Sequence, residues 1–107
     1  MTSHGENYAV NKVCYRVVHD PEFRKGLVDD PEPTLRAASP ALTDEQVGAF
    51  LRGDVGYLSR RGANNFMLHN LGRFGVLGLD LPEYAHRIRA EYAAEREAWR
   101  ASGVLPY

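Results

Sequence analysis

The feature that most constrains this chain is a helix-starting signal that recurs at short intervals. Asp20-Pro21-Glu22 and Asp30-Pro31-Glu32 each place an N-cap residue before a proline, with an acid in the first turn. Thr43 and Gln46 have the spacing of a capping box. No segment of useful length alternates apolar with polar residues, as a half-buried strand does. The sequence therefore predicts an all-α fold of about six or seven mostly short helices.

Apolar spacing places the main helices along the chain. A continuous apolar stripe predicts a first helix from about Tyr8 to His19. The longest helix is predicted near the C-terminus, from about Pro82 to Ser102. Residues 1–7 are expected to form a flexible N-terminus and residues 104–107 a short tail, so that one small domain covers residues 1–107.

Composition indicates a folded domain with a small core. Leu, Val, Phe and Ile make up about 23% of the chain, just above the roughly 20% below which chains remain disordered. The residues predicted to form this core lie on helical stripes: Val13 and Val17; Val47, Phe50 and Leu51; Leu71 and Phe74 with Ile88 and Tyr92.

Charge and cysteine content narrow the possible partners and compartments. The formal net charge is −1, so no excess of positive charge favours nucleic acid or an anionic membrane as a partner. Cys14 is the single cysteine and cannot form an internal disulfide; its place on the apolar stripe predicts a core position. No apolar run suggests a signal peptide or a membrane span. We therefore expect a cytoplasmic protein.

Residues that could perform catalysis or bind a metal do not form a recognisable pattern. The four histidines lie far apart in the sequence and in none of the usual zinc-binding spacings, and no serine has the surroundings of a nucleophile. No glycine-rich phosphate-binding motif occurs. The sequence predicts no catalytic residue, and no metal or cofactor bound by this chain alone.

A local excess of positive charge stands out in this balanced chain. Between Val55 and Leu79 there is no Asp or Glu, whereas Arg60, Arg61 and Arg73 are present. We interpret these arginines as a candidate positive rim for a carboxylate-bearing ligand or an acidic partner surface.

The apolar stripe of the first helix is the candidate interface. Val10, Val13 and Val17 give it more apolar area than a small core requires. The partner would be a larger subunit or a second copy of the chain.

The order of these motifs resembles a known family. D-P-E-F-R (Asp20 to Arg24) and D-P-E-P-T-L (Asp30 to Leu35) are followed by L-T-D-E-Q-V-G-A-F-L-R-G-D (Leu42 to Asp54) and L-S-R-R-G-A-N-N-F-M-L-H-N-L (Leu58 to Leu71). This series is similar to the small subunit of two-subunit class II extradiol ring-cleavage dioxygenases, of the protocatechuate 4,5-dioxygenase type. The most specific part is the turn at Gly62 with the apolar helix after it; Ala63 stands where a second glycine is frequent.

The resemblance implies a non-catalytic helical subunit in aromatic compound catabolism, which packs on a larger oxidoreductase subunit and helps to close its active site. The Fe(II) ion and its ligands belong to the large subunit in that family. In this chain the segment after the turn becomes a candidate lid over a partner's active site, in which aromatic, thioether, imidazole and amide groups exclude water and orient substrate. The lid candidates are Asn64, Asn65, Phe66, Met67, His69 and Asn70.

Two other functions remain open at this stage. The same helical domain also occurs, by resemblance, as a stand-alone protein or as the recognition part of precursors for peptide-modifying enzymes, although only Val104 to Tyr107 follow Gly103 here. A helical adaptor or oligomerisation protein is the third reading. Homo-oligomerisation is compatible with each of them.

Overall fold

The computed structural model describes residues 3–101, with side chains for residues 7–95, 97 and 98. Within that range it has eight helices and no strand, so the all-α prediction is confirmed. The helices are α1 (Ser3–His19), α2 (Pro21–Asp29), α3 (Pro31–Arg36), α4 (Asp44–Arg52), α5 (Val55–Arg60), α6 (Asn65–Arg73), α7 (Leu81–Glu91) and α8 (Ala93–Ala101). None of these helices is long and apolar enough to cross a bilayer.

Local capping explains where most of the short helices begin. The Asp20 carboxylate accepts a hydrogen bond from the backbone N–H of Phe23 at 3.1 Å, and Thr43 with Gln46 forms the predicted capping box. Asp30 is the N-cap of α3, but its side chain makes no capping hydrogen bond. At Asp30, proline at the first helical position is therefore the stronger part of the signal.

The first helix begins at Ser3 rather than near Tyr8, so residues 3–7 are helical where a flexible terminus was expected. With 17 residues it is the longest helix that the structure describes. Asn7 is buried, and its side-chain Nδ2 donates to the carbonyl oxygen of Arg61 at 3.0 Å. This bond to the loop before α6 holds the extra turn of α1 in place.

The long C-terminal helix predicted from Pro82 is instead two helices, α7 and α8, separated at Tyr92; Ser102 lies outside the described residues. Arg60 of α5 contacts the chain at the end of α7. Its guanidinium donates to the carboxylate of Glu91 at 2.6 Å and to the carbonyl oxygen of Glu91 at 2.9 Å. That carbonyl oxygen would otherwise accept a hydrogen bond within a continuous helix. The extra helix also accounts for a count above six or seven.

The core is formed by side chains of α1 to α6, together with Val76 and Leu79 from the segment that follows α6. Val13, Val17, Val47, Phe50 and Leu71 are buried as predicted. Phe74, Ile88 and Tyr92 are half-buried at the margin, and Leu51 is exposed. Leu51 is an exception because α4 buries Val47, Ala49 and Phe50, and Leu51 is turned about 100° around the helix axis from Phe50.

Helix α7 packs closely on α6 because Gly72 has no side chain. A Cβ atom at Gly72 would lie 2.8 Å from the carbonyl oxygen of Asp80 and 3.0 Å from Cβ of Tyr84. The close approach brings Tyr84 against the beginning of α6, the segment singled out by the sequence.

Candidate functional site

A sharp turn places the beginning of α6. Gly62 has φ +105°, a left-handed conformation that favours glycine. Ala63, next in the chain, is buried. Asn64 then caps α6: its side-chain oxygen accepts from the backbone N–H of Met67 at 3.2 Å. The backbone N–H of Asn64 donates to Oδ1 of Asn11 in α1 at 3.2 Å. The start of α6 is therefore fixed to α1 as well as capped.

The inner side of α6 anchors it in the core. Leu68 and Leu71 are fully buried, and Met67 is half-buried against the core cluster. Met67 was a lid candidate, but its side chain serves mainly to pack α6. On the α7 side, the Tyr84 hydroxyl donates to the carbonyl oxygen of Asn65 at 2.9 Å. Burial raises the pKa of Tyr84, with a smaller contribution from Cys14, so the hydroxyl remains a donor at neutral pH.

The outer side of α6 carries the most exposed large apolar side chain described in the structure. Phe66 is 83% exposed, and Asn65 beside it is exposed as well. His69 and Asn70 are half-buried. The His69 ring meets the Tyr84 ring edge to face, with centroids 5.8 Å apart. The beginning of α6 is therefore a firmly held support for a phenyl ring and an amide that point outward.

The three rim arginines are not equivalent. Arg60 forms ion pairs with Glu91 and Glu95, so it does not contribute free positive charge near α6. Those carboxylates raise the pKa of Arg60 above its ordinary value through hydrogen bonds. The guanidinium of Arg61 stacks on Tyr57, and that of Arg73 lies 5.3 Å from the ring centre of Phe74. The three side chains do not converge on one point, and Arg73 remains the clearest positive group.

The candidate interface stripe on α1 is used inside the molecule. Val10, Val13 and Val17 are each at most 1% exposed and belong to the core cluster. They are therefore not available to a partner in this fold, because α1 needs that stripe for α2 and α6. Cys14 on the same stripe is fully buried, and burial raises its pKa to about 12, so it stays an unreactive thiol.

Exposed residues on the other flank of α1 were missed. Tyr8 and Tyr15 are 52% and 42% exposed. They are seven residues apart and so lie on one side of the helix, with Asn11 between them. Their seven-residue spacing is a sequence signal for a shared helix face, but exposed tyrosines do not stand out beside the apolar valine stripe.

The remaining clefts and side-chain clusters give weaker support for a functional site. An open cleft of about 510 Å³ lies between the end of α4 and α7, but its charges are already paired, Arg52 with Asp54 and Arg87 with Glu83. Among the side chains that the structure describes, no group of three or more His, Cys, Asp or Glu is arranged to hold a metal ion.

Comparison with family models, with curated proteins and with solved structures finds no match to this chain.

Proposed function

We propose that this chain is a non-catalytic small subunit that packs on a larger, Fe(II)-dependent extradiol ring-cleavage dioxygenase subunit and closes its active site. The sequence resemblance supports the reaction class and implies that the iron and its ligands belong to the partner. The observation that carries the proposal is the exposure of Phe66, 83%, at the start of a helix that is held on both sides.

A fixed and exposed phenyl ring is suited to covering another protein's cavity. Complete burial of a Phe side chain contributes about 1.5–3 kcal/mol to binding. Because α6 is already anchored, docking does not lose this free energy to the entropy cost of ordering the helix. A ring placed over an active site would also exclude water, which strengthens the electrostatic interactions within it.

Polar groups beside Phe66 would contribute orientation. The Asn65 side chain is exposed next to the ring, and an amide offers both a donor and an acceptor to a ring hydroxyl or carboxylate. His69 and Asn70 are half-buried one turn further along α6 and would meet a substrate only at its edge. Desolvation and orientation are thus this chain's part in a reaction carried out by groups of the partner.

The proposed function is in aromatic compound catabolism, and the proposed location is the cytoplasm. The single cysteine supports a reducing compartment, since Cys14 is a free thiol in the core.

The experiment is a comparison of Phe66→Ala with Val28→Ala in a complex reconstituted with the large subunit of such a dioxygenase. Val28 is the matched control because it is 66% exposed, apolar and located on α2. We expect Phe66→Ala to lower kcat/KM for ring cleavage about tenfold, which corresponds to about 1.4 kcal/mol. The melting temperature of the free chain should not change, and Val28→Ala should leave both quantities at wild-type values.

Unchanged kcat and KM for Phe66→Ala in an assembled complex contradict the lid role. Failure of the chain to bind any large subunit, together with binding to a peptide-modifying enzyme, favours the recognition-module reading. A stable assembly of the chain with itself, without either enzyme, favours the adaptor or oligomerisation reading.

A further inference from the structure

Two segments of this chain lack acidic residues, although the whole chain is balanced in charge. All 14 Asp and Glu residues lie outside residues 7–19, in α1, and residues 55–79, which include α5 and α6. Either segment alone is a local fluctuation in composition. In the fold, however, the two segments lie side by side and form one continuous surface.

The two segments pack against each other. Nδ2 of Asn7 donates to the carbonyl oxygen of Arg61 at 3.0 Å, and Oδ1 of Asn11 accepts from the backbone N–H of Asn64 at 3.2 Å. The surface on either side of this seam is consequently made from two stretches that contain no carboxylate side chain.

Two positive side chains of these segments, Lys12 and Arg73, lie against aromatic rings. Nζ of Lys12 lies 5.1 Å from the ring centre of Tyr15, and the guanidinium carbon of Arg73 lies 5.3 Å from that of Phe74. No carboxylate among the described side chains forms an ion pair with Lys12 or Arg73. Other arginines of the two segments do form ion pairs with acids outside them: Arg16 pairs with Asp20, and Arg60 pairs with Glu91.

Exposed aromatic rings lie between these charges. Tyr8 and Tyr15 lie on the exposed flank of α1, before and after Asn11 in the chain. Asn11 contacts Asn64, and the exposed Phe66 follows two residues later. Aromatic residues are enriched in protein interfaces, where they carry much of the binding energy. We call the surface formed by Tyr8, Lys12, Tyr15, Phe66 and Arg73 the α1–α6 face.

We infer that the α1–α6 face docks on an acidic surface of a partner protein, with carboxylates opposite Lys12 and Arg73 at the margin of the cavity that Phe66 covers. The inference rests on the proposed function, which supplies the partner, and adds the charge of the surface that receives this chain. A second copy is a poor occupant, because a two-fold dimer through this face would oppose like charges.

The test measures the association rate of the full chain with the purified large dioxygenase subunit over a range of NaCl concentrations. Opposite charges accelerate encounter, and salt screens them over about 8–10 Å near physiological ionic strength. We expect the association rate constant to fall about tenfold or more between 30 mM and 300 mM NaCl. The double variant Lys12→Glu, Arg73→Glu should slow association by a similar factor at low salt.

Arg89→Glu is the matched control, because Arg89 is an exposed arginine in the last turn of α7, as Arg73 is in the last turn of α6. It should change the association rate much less than the double variant. Circular dichroism of each variant establishes that the helices are retained, and turnover at saturating chain concentration should stay at the wild-type value for Arg89→Glu.

Each other outcome overturns the inference in a distinguishable way. If the association rate does not change with salt or with the charge reversals, and turnover in the complex is normal, the acidic docking surface is wrong and the proposed function still holds. Absence of association at every salt concentration removes both. A dimer of the free chain in light scattering that Phe66→Ala dissociates assigns the face to a second copy and overturns the acidic partner.

Discussion

The hydroxyl of Tyr84 in α7 donates a hydrogen bond of 2.9 Å to the carbonyl oxygen of Asn65, the first residue of α6. The ring of the same tyrosine meets His69 one turn further along. Tyr84 therefore holds the first turn of α6 from one side, while Asn11 holds it from the other. The exposed Phe66 between these contacts owes its fixed position to both.

Removal of the Tyr84 hydroxyl should loosen the start of α6 without displacing the ring. We expect Tyr84→Phe to lower the free energy of unfolding by about 0.5–1 kcal/mol, since the bond lies at the surface. Amide hydrogen exchange in the first turn of α6 should accelerate. Tyr15→Phe is the control, an exposed tyrosine outside α6 and α7. Equal effects of the two substitutions in urea denaturation would show that the Tyr84 hydroxyl contributes nothing specific.

The close approach of α7 to α6 predicts opposite effects for two glycine substitutions in helices. Gly72→Ala would set a Cβ atom 2.8 Å from the carbonyl oxygen of Asp80, which cannot move aside as a side-chain tip does. We expect a net loss of about 1–2 kcal/mol despite the better helix propensity of alanine. Gly48→Ala would meet only the end of Arg52 and should gain about 0.5–1 kcal/mol. A stabilised Gly72→Ala variant in chemical denaturation contradicts this packing.

Two phenylalanines should respond very differently to truncation. Phe50 is fully buried and Phe66 is 83% exposed. Phe50→Ala should cost about 3–5 kcal/mol of folding free energy, whereas Phe66→Ala should cost less than about 0.5 kcal/mol. Thermal and urea unfolding of the two variants measure this. A loss above about 1 kcal/mol for Phe66→Ala would mean that the ring supports the fold and is not held for a partner.

Much of the fold could be predicted because its signals are local. Asp20 with Phe23, and Thr43 with Gln46, form their capping bonds within three residues of chain, so sequence spacing is enough to recognise them. The same holds for Asn64, whose side chain caps α6 by accepting from the backbone N–H of Met67 three residues later. At the candidate site, local patterns were sufficient to locate the turn and the helix that follows it.

The errors arose where distant residues decide the outcome. At the break near Tyr92, Arg60 contacts Glu91 across 31 residues of sequence. At the early start of α1, Asn7 bonds to Arg61 across 54 residues. Periodicity within one helix shows which side is apolar, but it does not show whether that side is covered. For this reason Val10, Val13 and Val17 were indistinguishable from an interface until the packing of α1 was known.

Acid should weaken the junction of α1 and α2 through Asp20. Hydrogen bonds from the Phe23 N–H and the Arg16 guanidinium lower the pKa of Asp20 below its ordinary value of 3.8. A carboxyl whose pKa is lowered on folding stabilises the fold above its unfolded-state pKa, and this stabilisation is lost as the pH falls through the folded-state pKa. NMR titration of Asp20 should show the low value, and Arg16→Met should raise it. An unchanged pKa of Asp20 in Arg16→Met would show that Arg16 does not lower it.

The most direct test measures ring cleavage by the large subunit, alone and with increasing amounts of this chain, on a set of catechols that includes protocatechuate. We predict that the chain alone opens no ring and that its addition raises kcat/KM of the large subunit at least about tenfold, saturating as the complex forms. Wild-type chain that binds the large subunit and leaves kcat and KM unchanged for every catechol would contradict the proposal that it closes the active site.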